Sequence, residues 1–144
     1  MTVHQEILRV RCGDGSALEE FTHEVRRVVR SAGVRTGLCT IFIQHTSASL
    51  VIQENADPSA RADLENFLAR IAPEGDPRYT HTAEGPDDMP AHIRAALTST
   101  SESIPISEGE LTLGTWQGIY LWEHRRRRTP RRILVHVSGD GSTP

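Results

Sequence analysis

Alternating and continuous apolar patterns predict strands in the first part of the chain. Residues 2–12 alternate between apolar and polar positions, with Leu8 and Val10 on one face, which favours a half-buried strand. The segment "GLCTIFIQH" (37–45) is apolar and rich in β-branched residues, so it predicts a buried strand. The segment "SLVIQEN" (49–55) follows a polar break and predicts a second strand of the same kind.

Two helices are predicted from capping residues and from apolar positions at helical spacing. Ser16 and Glu19 form a capping-box pattern, and the apolar positions that follow continue to Gly33, which suits a C-cap. The second helix is predicted to begin with Asp57 as N-cap and Pro58 as the first helical residue. The apolar face of the second helix is predicted to comprise Leu64, Phe67, Leu68 and Ile71.

The second half of the chain begins with a predicted loop at residues 74–87, where four of fourteen residues are Gly or Pro. A short helix from about Asp88 to Thr98 follows, with Asp88 as a suitable N-cap. The remaining predicted strands lie near 103–107, 110–114, 117–124 and 131–137. Helices and strands therefore mix without a regular βαβ alternation, which predicts a single α+β domain spanning residues 1–144.

Composition excludes several classes of protein. Of the 144 residues 37% are hydrophobic and 24% charged, which is typical of a soluble globular domain. The longest mainly apolar run (38–43) is too short to span a bilayer, and no signal-peptide pattern is present, so a cytoplasmic protein is expected. All sixteen basic residues are arginine, which excludes a lysine Schiff base and a lysine-dependent phosphate loop. Cys12 and Cys39 lie in unrelated segments and are predicted to be free thiols.

Histidines are frequent, seven in 144 residues, and several accompany carboxylates. Asp88 and His92 are four residues apart, which places them one turn apart on a helix face, and Glu123 directly precedes His124. Imidazoles and carboxylates from separate segments form the ligand set that zinc prefers, and an open position would activate water. The alternatives are an N-cap role for Asp88 and ordinary hydrogen-bonded histidines at strand ends. The four candidate histidines are His45, His81, His92 and His124.

Hydroxyl residues and arginines provide two further candidates. Thr46, Ser47 and Ser49 follow His45, but no Gly-x-Ser-x-Gly elbow accompanies them, so a tight turn or hydrogen bonds to an anion are favoured over a nucleophile. The run "RRRRTPRR" (125–132) has six arginines and could bind phosphate or nucleic acid. A solvated hairpin loop is the favoured interpretation, because aromatics are only 5% and no RNA-binding signature is present.

Three motifs in order carry a family resemblance over residues 4–139. The stretches "QHTSASLVIQENADP", "EGPDDMPAHI" and "LGTWQGIYLWEHR" resemble the YjbQ-like family, often labelled secondary thiamine-phosphate synthase. The resemblance implies a compact α+β domain with a strongly curved, mainly antiparallel sheet and about three helices. It also implies a homotrimer with a polar pocket near subunit contacts, where histidines hold a metal ion, commonly zinc.

The resemblance also suggests roles for individual residues. His81, His92 and His124 are predicted to bind the metal, while His45, Asp88 and Glu123 are predicted to act as catalytic acid/base or orienting groups. His45 could instead be a fourth ligand. The first motif also carries Thr46 and Asp57. The predicted substrate-binding residues are Ser47, Ser49, Asn55, Gln117 and Arg125.

The resulting hypothesis is a metal-dependent enzyme acting on a small phosphorylated metabolite, nominally in thiamine-phosphate synthesis. That reaction joins a pyrimidine diphosphate to a thiazole phosphate and usually uses magnesium held by carboxylates, whereas the histidines here better suit zinc and water activation. A metal-dependent hydrolase is therefore also considered. Two alternatives from other classes remain: a non-catalytic module that binds a metabolite or nucleic acid, and a metal-stabilised structural trimer.

Overall fold

The computed structural model describes residues 1–141, and within them the chain has three helices and eight strands. This confirms the α+β class. The elements are β1 (Thr2–Val10), β2 (Leu18–Glu20), α1 (Thr22–Ala32), β3 (Val34–Ile43), β4 (Ala48–Glu54), α2 (Pro58–Ile71), α3 (Asp88–Leu97), β5 (Ser101–Ser107), β6 (Glu110–Leu111), β7 (Gln117–Glu123) and β8 (Arg131–Gly141).

The strands form a strongly curled, half-barrel antiparallel sheet and a smaller second sheet, as the resemblance implied. The large sheet has the order β1-β8-β3-β5-β6, and the small sheet the order β2-β7-β4. Strand β8 lies between β1 and β3 and pairs antiparallel with both. Side chains alternate across each strand, so one face of the large sheet packs inward and the other faces out.

The core lies between the inner faces of the sheets and α1. In β8, Ile133, Val135 and Val137 are fully buried, as the two-residue period of a strand requires. Helix α1 adds Val25 and Val28, which are spaced for one helix face and are also fully buried. Burial of each such side chain contributes about 1.5–3 kcal/mol.

The predicted start of the first helix is wrong, although its end is confirmed. Residues 18–20 form β2 instead, because Leu18 pairs with Trp122 on β7. The hydroxyl of Ser16 donates to Glu65 at 2.9 Å and accepts from the Leu18 N–H at 3.2 Å, and among the described residues no side chain caps α1. Gly33 ends the helix with φ 67°, a left-handed conformation that glycine adopts without strain.

The second helix has the predicted cap but a narrower apolar face. Asp57 Oδ1 accepts a hydrogen bond from the Ser59 backbone N–H at 2.9 Å, which confirms the cap. Leu68 is buried, but Phe67 and Ile71 are 55% and 49% exposed. The predicted apolar face is therefore only partly covered within the single chain, because only part of α2 contacts the sheet.

Three further predictions have a defined outcome. Strand β6 is shorter than predicted, and the chain turns at Gly114, whose carbonyl accepts from the Gln117 N–H at 3.1 Å. Cys12 and Cys39 are buried free thiols, as expected. Within residues 1–141 no helix is long and apolar enough to cross a membrane.

Candidate metal centre

Two histidines and an aspartate converge where the loop before α3 folds back onto the helix. Asp88 Oδ2 lies 2.9 Å from His81 Nε2 and 3.0 Å from His92 Nε2. The distance to His92 follows from their i, i+4 spacing on α3, whereas His81 is brought in by the loop. Among the described residues these three side chains form the one group whose ligand atoms could hold a metal ion.

The hydrogen bond of His92 to the backbone fixes its tautomer. Its Nδ1 lies 2.9 Å from the carbonyl oxygen of Thr46, which can only accept, so Nδ1 carries the hydrogen. Nε2 is then the ring nitrogen directed at the cluster, and it is the atom that would ligate a metal ion. A backbone carbonyl that orients an imidazole in this way is typical of metal-ligating histidines.

Asp88 is held by an arginine as well as by the histidines, and the predicted N-cap role for it is wrong. Asp88 is the first residue of α3, and Asp87 occupies the position before the helix. No described side chain makes a capping hydrogen bond to the start of α3. Arg125 Nη1 donates to Asp88 Oδ1 at 2.6 Å, and Arg125 Nε donates to Asp87 Oδ2 at 3.0 Å. Burial raises the pKa of Asp88, but hydrogen bonds from His81 and the charge of His92 outweigh it, so the pKa is lowered overall.

These contacts change the interpretation of Arg125. Its guanidinium also donates to the Glu84 carbonyl at 3.1 Å. The hydrogen bond with Asp87 raises the pKa of Arg125, as expected for a charge held by carboxylates. Arg125 therefore ties the loop to the start of α3, and little of its hydrogen-bonding capacity is left for a substrate anion.

The structure places His124 apart from the cluster. His124 is buried, and its Nε2 lies 2.8 Å from the hydroxyl oxygen of Ser49, which is fully buried. Burial, followed by the charges of Arg94 and Arg131, lowers the pKa of His124 to about 3. Ser49 and His124 thus form a neutral buried pair across β4 and β7.

A buried arginine organises the other predicted catalytic groups. Arg131 donates to both oxygens of Glu123, with Nε at 2.8 Å and Nη2 at 2.5 Å, and Nη2 also donates to Ser47 Oγ at 3.1 Å. His45 accepts the Arg132 backbone N–H on Nε2 at 2.9 Å, so that lone pair is already in use. Burial and the nearby Arg131 lower the pKa of His45.

Sequence reasoning assigned Arg131 to the loop and missed this role. A signal was present, because Arg131 has the same strand phase as the apolar Ile133 and Val135 and therefore faces inward.

Asn55 and Gln117 lie at the opposite end of the small sheet. Glu54 pairs with Gln117, whereas Ala48 pairs with Glu123 six residues away. At about 3.3 Å per residue the two ends are about 20 Å apart within one chain. Asn55 and Gln117 line a separate polar cavity of about 590 Å³.

Most arginines of the arginine-rich loop form hydrogen bonds or ion pairs within the protein. Arg126 forms an ion pair with Glu74, and its backbone N–H donates to Asp87 at 2.9 Å. Arg128 donates to the carbonyls of Arg125 and Ser16 at 2.9 and 3.3 Å. The loop is therefore not simply solvated, as the sequence had suggested. Its hydrogen bonds connect the candidate metal centre to the rest of the fold.

Comparisons with known proteins identify the family. The family model described as UPF0047 protein YjbQ-like matches residues 6–140. The chain belongs to the YjbQ-like UPF0047 family. A UPF0047 protein of Synechocystis is 58% identical over 137 residues, covering 95% of this chain and 92% of that protein. The YjbQ protein of Salmonella typhimurium is 45% identical over 107 residues, covering 74% and 77%.

Solved structures of YjbQ-like proteins share the fold. A YbjQ-like protein of unknown function from Sulfolobus solfataricus superposes with a TM-score of 0.87 at 26% identity, covering 96% of this chain and 98% of that one. A YjbQ/UPF0047 family protein from Clostridium acetobutylicum gives a TM-score of 0.82 at 35% identity, covering 92% and 99%. The family resemblance inferred from the three motifs is confirmed.

Proposed function

We propose that this YjbQ-like protein is a metal-dependent enzyme whose divalent ion, zinc, is held by His81, Asp88 and His92. The observation that carries the proposal is the convergence of two Nε2 atoms on one carboxylate oxygen, at 2.9 and 3.0 Å. Two histidines and a carboxylate are a ligand set used by catalytic zinc sites, which keep further positions open. The proposal replaces the predicted ligand His124 with Asp88.

The donor atoms suit an ion in their spacing and in their chemistry. Ligand atoms bonded tetrahedrally to one zinc ion at about 2.0–2.1 Å lie about 3.3 Å from one another, so Asp88 Oδ2 and each imidazole, at 2.9 and 3.0 Å, would need to separate by only a few tenths of an ångström to admit the ion. The Thr46 carbonyl keeps His92 in the tautomer that a metal requires. Arg125 holds the second oxygen of Asp88, which leaves Oδ2 directed at the histidines.

The chain's own residues would bind and orient the reacting groups. When bound, the ion would act as a Lewis acid towards a substrate oxygen or a water molecule. The expected phosphorylated substrate needs cationic groups near the site, but Arg125 is engaged by Asp87 and Asp88. We therefore propose action on a small metabolite. Thiamine-phosphate synthase activity stays a prediction, and an assay with the two phosphorylated substrates of that reaction tests it.

We also propose the homotrimer that the family resemblance implied. The outer face of the large sheet carries exposed apolar side chains, including Val3 (60% exposed), Ile7 (43%) and Phe42 (44%). Ile7 and Phe42 both lie opposite Leu134 in the sheet, so they form one continuous patch. Such a patch is typical of a protein interface. Light scattering at micromolar concentration should give three times 16.0 kDa, and a monomer would contradict the proposal.

Metal analysis of variants tests the metal centre. Wild-type protein prepared without chelator and supplied with zinc should contain one ion per chain. His92→Ala should lose most of it, because a ligand is removed. Asp88→Asn should weaken zinc binding at least 10–100-fold, the loss expected even of a group that only orients a ligand. His23→Ala, an exposed histidine on α1, is the control and should retain the metal. Equal metal content in His92→Ala and His23→Ala would refute the assignment.

A further inference from the structure

A cavity lies directly beside the candidate metal centre. It has a volume of about 290 Å³ and is formed by the loop before α3 and the first turn of that helix. His81 forms part of its wall, so one imidazole belongs both to the cavity and to the proposed ligand group. The residues that line it include Gly75, Tyr79, His81, Gly85, Pro86 and Met89.

The lining of this cavity is mainly apolar. Tyr79, Pro86 and Met89 contribute a ring, a pyrrolidine and a thioether chain, and the Tyr79 hydroxyl is directed to the Pro73 carbonyl at 2.9 Å. Asp76 also borders the cavity, but its carboxylate accepts from Arg78 Nε at 3.0 Å and Nη2 at 2.6 Å. Its charge is thus already compensated.

The charges around the cavity disfavour an anion. None of the described residues that line it is an arginine, and the chain has no lysine. The nearby cations Arg125 and Arg126 are engaged by carboxylates of Asp87, Asp88 and Glu74. A phosphate placed here would have no free cationic partner.

We infer that the cavity binds the apolar part of the substrate, an aromatic ring or a short branched alkyl group, while the substrate's polar end binds the ion. This inference rests on the proposed metal centre. The size is adequate, because a closed cavity of about 150 Å³ accommodates benzene. Small-molecule sites generally combine such apolar walls with a few polar groups that fix orientation. The substrate class is therefore a small, uncharged or weakly acidic metabolite with an apolar substituent.

Two hydroxamic acids with the same metal-binding head test the inference. Zinc-supplied wild-type protein is titrated with acetohydroxamic acid and with benzohydroxamic acid by isothermal calorimetry, and metal content is measured on the same sample. The phenyl group should improve affinity about tenfold or more over the methyl group, because it buries additional apolar surface. Met89→Gln has nearly the same volume but a polar end, and it should reduce the difference to about threefold or less.

Tyr79→Phe is the matched control. It keeps the ring in the cavity wall and removes only the hydrogen bond to the Pro73 carbonyl, so the preference for the phenyl compound should persist. Equal affinities for the two compounds on protein that contains zinc would overturn the cavity assignment and leave the metal centre standing. A preference unchanged in Met89→Gln would also overturn it. Absence of zinc from the wild-type sample would refute both proposals.

Discussion

The ion pair of Glu123 and Arg131 should be a major determinant of stability, although Glu123 was predicted to be catalytic. The two side chains are 0% and 7% exposed, and Arg131 reaches both carboxylate oxygens. Glu123 Oε2 also accepts the backbone N–H groups of His124 and Arg125, both at 3.1 Å. Glu123→Gln keeps an acceptor for those N–H groups but removes the charge that compensates Arg131.

The magnitude follows from burial. Removing one partner of a buried ion pair costs about 3–5 kcal/mol, because the other charge is left uncompensated. For a chain of 144 residues this lowers the melting temperature by about 10–15 °C. The matched control is Glu108→Gln, which removes the same kind of contact at the surface, 2.5 Å from Arg35. An exposed pair contributes about 0–1 kcal/mol.

Urea unfolding at neutral pH, followed by far-UV circular dichroism on metal-free protein, measures both variants. The double variant Glu123→Gln with Arg131→Met should recover part of the loss, because it no longer buries an unpaired charge. A loss below about 1 kcal/mol for Glu123→Gln, or equal losses for Glu123→Gln and Glu108→Gln, would refute the reasoning.

Three further predictions concern stability. The pKa of His124 is lowered to about 3 by burial, so below about pH 6.5 the unfolded chain takes up a proton that the folded protein does not. The stabilising effect is therefore complete above pH 6.5, and the free energy of unfolding should fall towards pH 3 by up to about 1.4 kcal/mol per pH unit. His124→Gln should flatten this part of the stability profile. Gly37→Ala should cost more than about 2 kcal/mol in urea unfolding, because its Cβ would lie 2.1 Å from the Ser138 carbonyl oxygen. Arg128→Gln should cost about 1–2 kcal/mol through its two carbonyl contacts, while Arg127→Gln should stay within about 0.5 kcal/mol; equal losses would contradict the connecting role of Arg128.

Local patterns were sufficient where the physical cause is itself local. Asp57 and Pro58 define the start of α2 because capping involves only neighbouring backbone groups. Gly33 ends α1 because a left-handed residue is needed there. The spacing of Asp88 and His92 likewise brings their side chains together through helix geometry alone.

Local patterns failed where a distant strand competed with them. The capping box at Ser16 favours a helix, but pairing of Leu18 with Trp122 on β7 satisfies the same backbone groups in a sheet. Phe67 and Ile71 have helical spacing for a common face with Leu68, yet only Leu68 is buried, because only part of the helix contacts the rest of the protein. Sheet pairing also places Asn55 and Gln117 about 20 Å from the Glu123 end of the small sheet within one chain.

The chain's residue pattern was enough to give the family, the α+β class and most helix and strand positions, and it singled out His81, Asp88 and His92 as candidate site residues. It could do so because residue order, periodicity and motif composition are properties of the chain. Three contacts became visible only in the folded chain: Asp88 joins the two histidines, His124 pairs with Ser49, and Arg131 compensates Glu123. These assignments depend on which segments meet across the sheets, and burial then decides whether a histidine or a carboxylate is available for chemistry or is used to hold the fold.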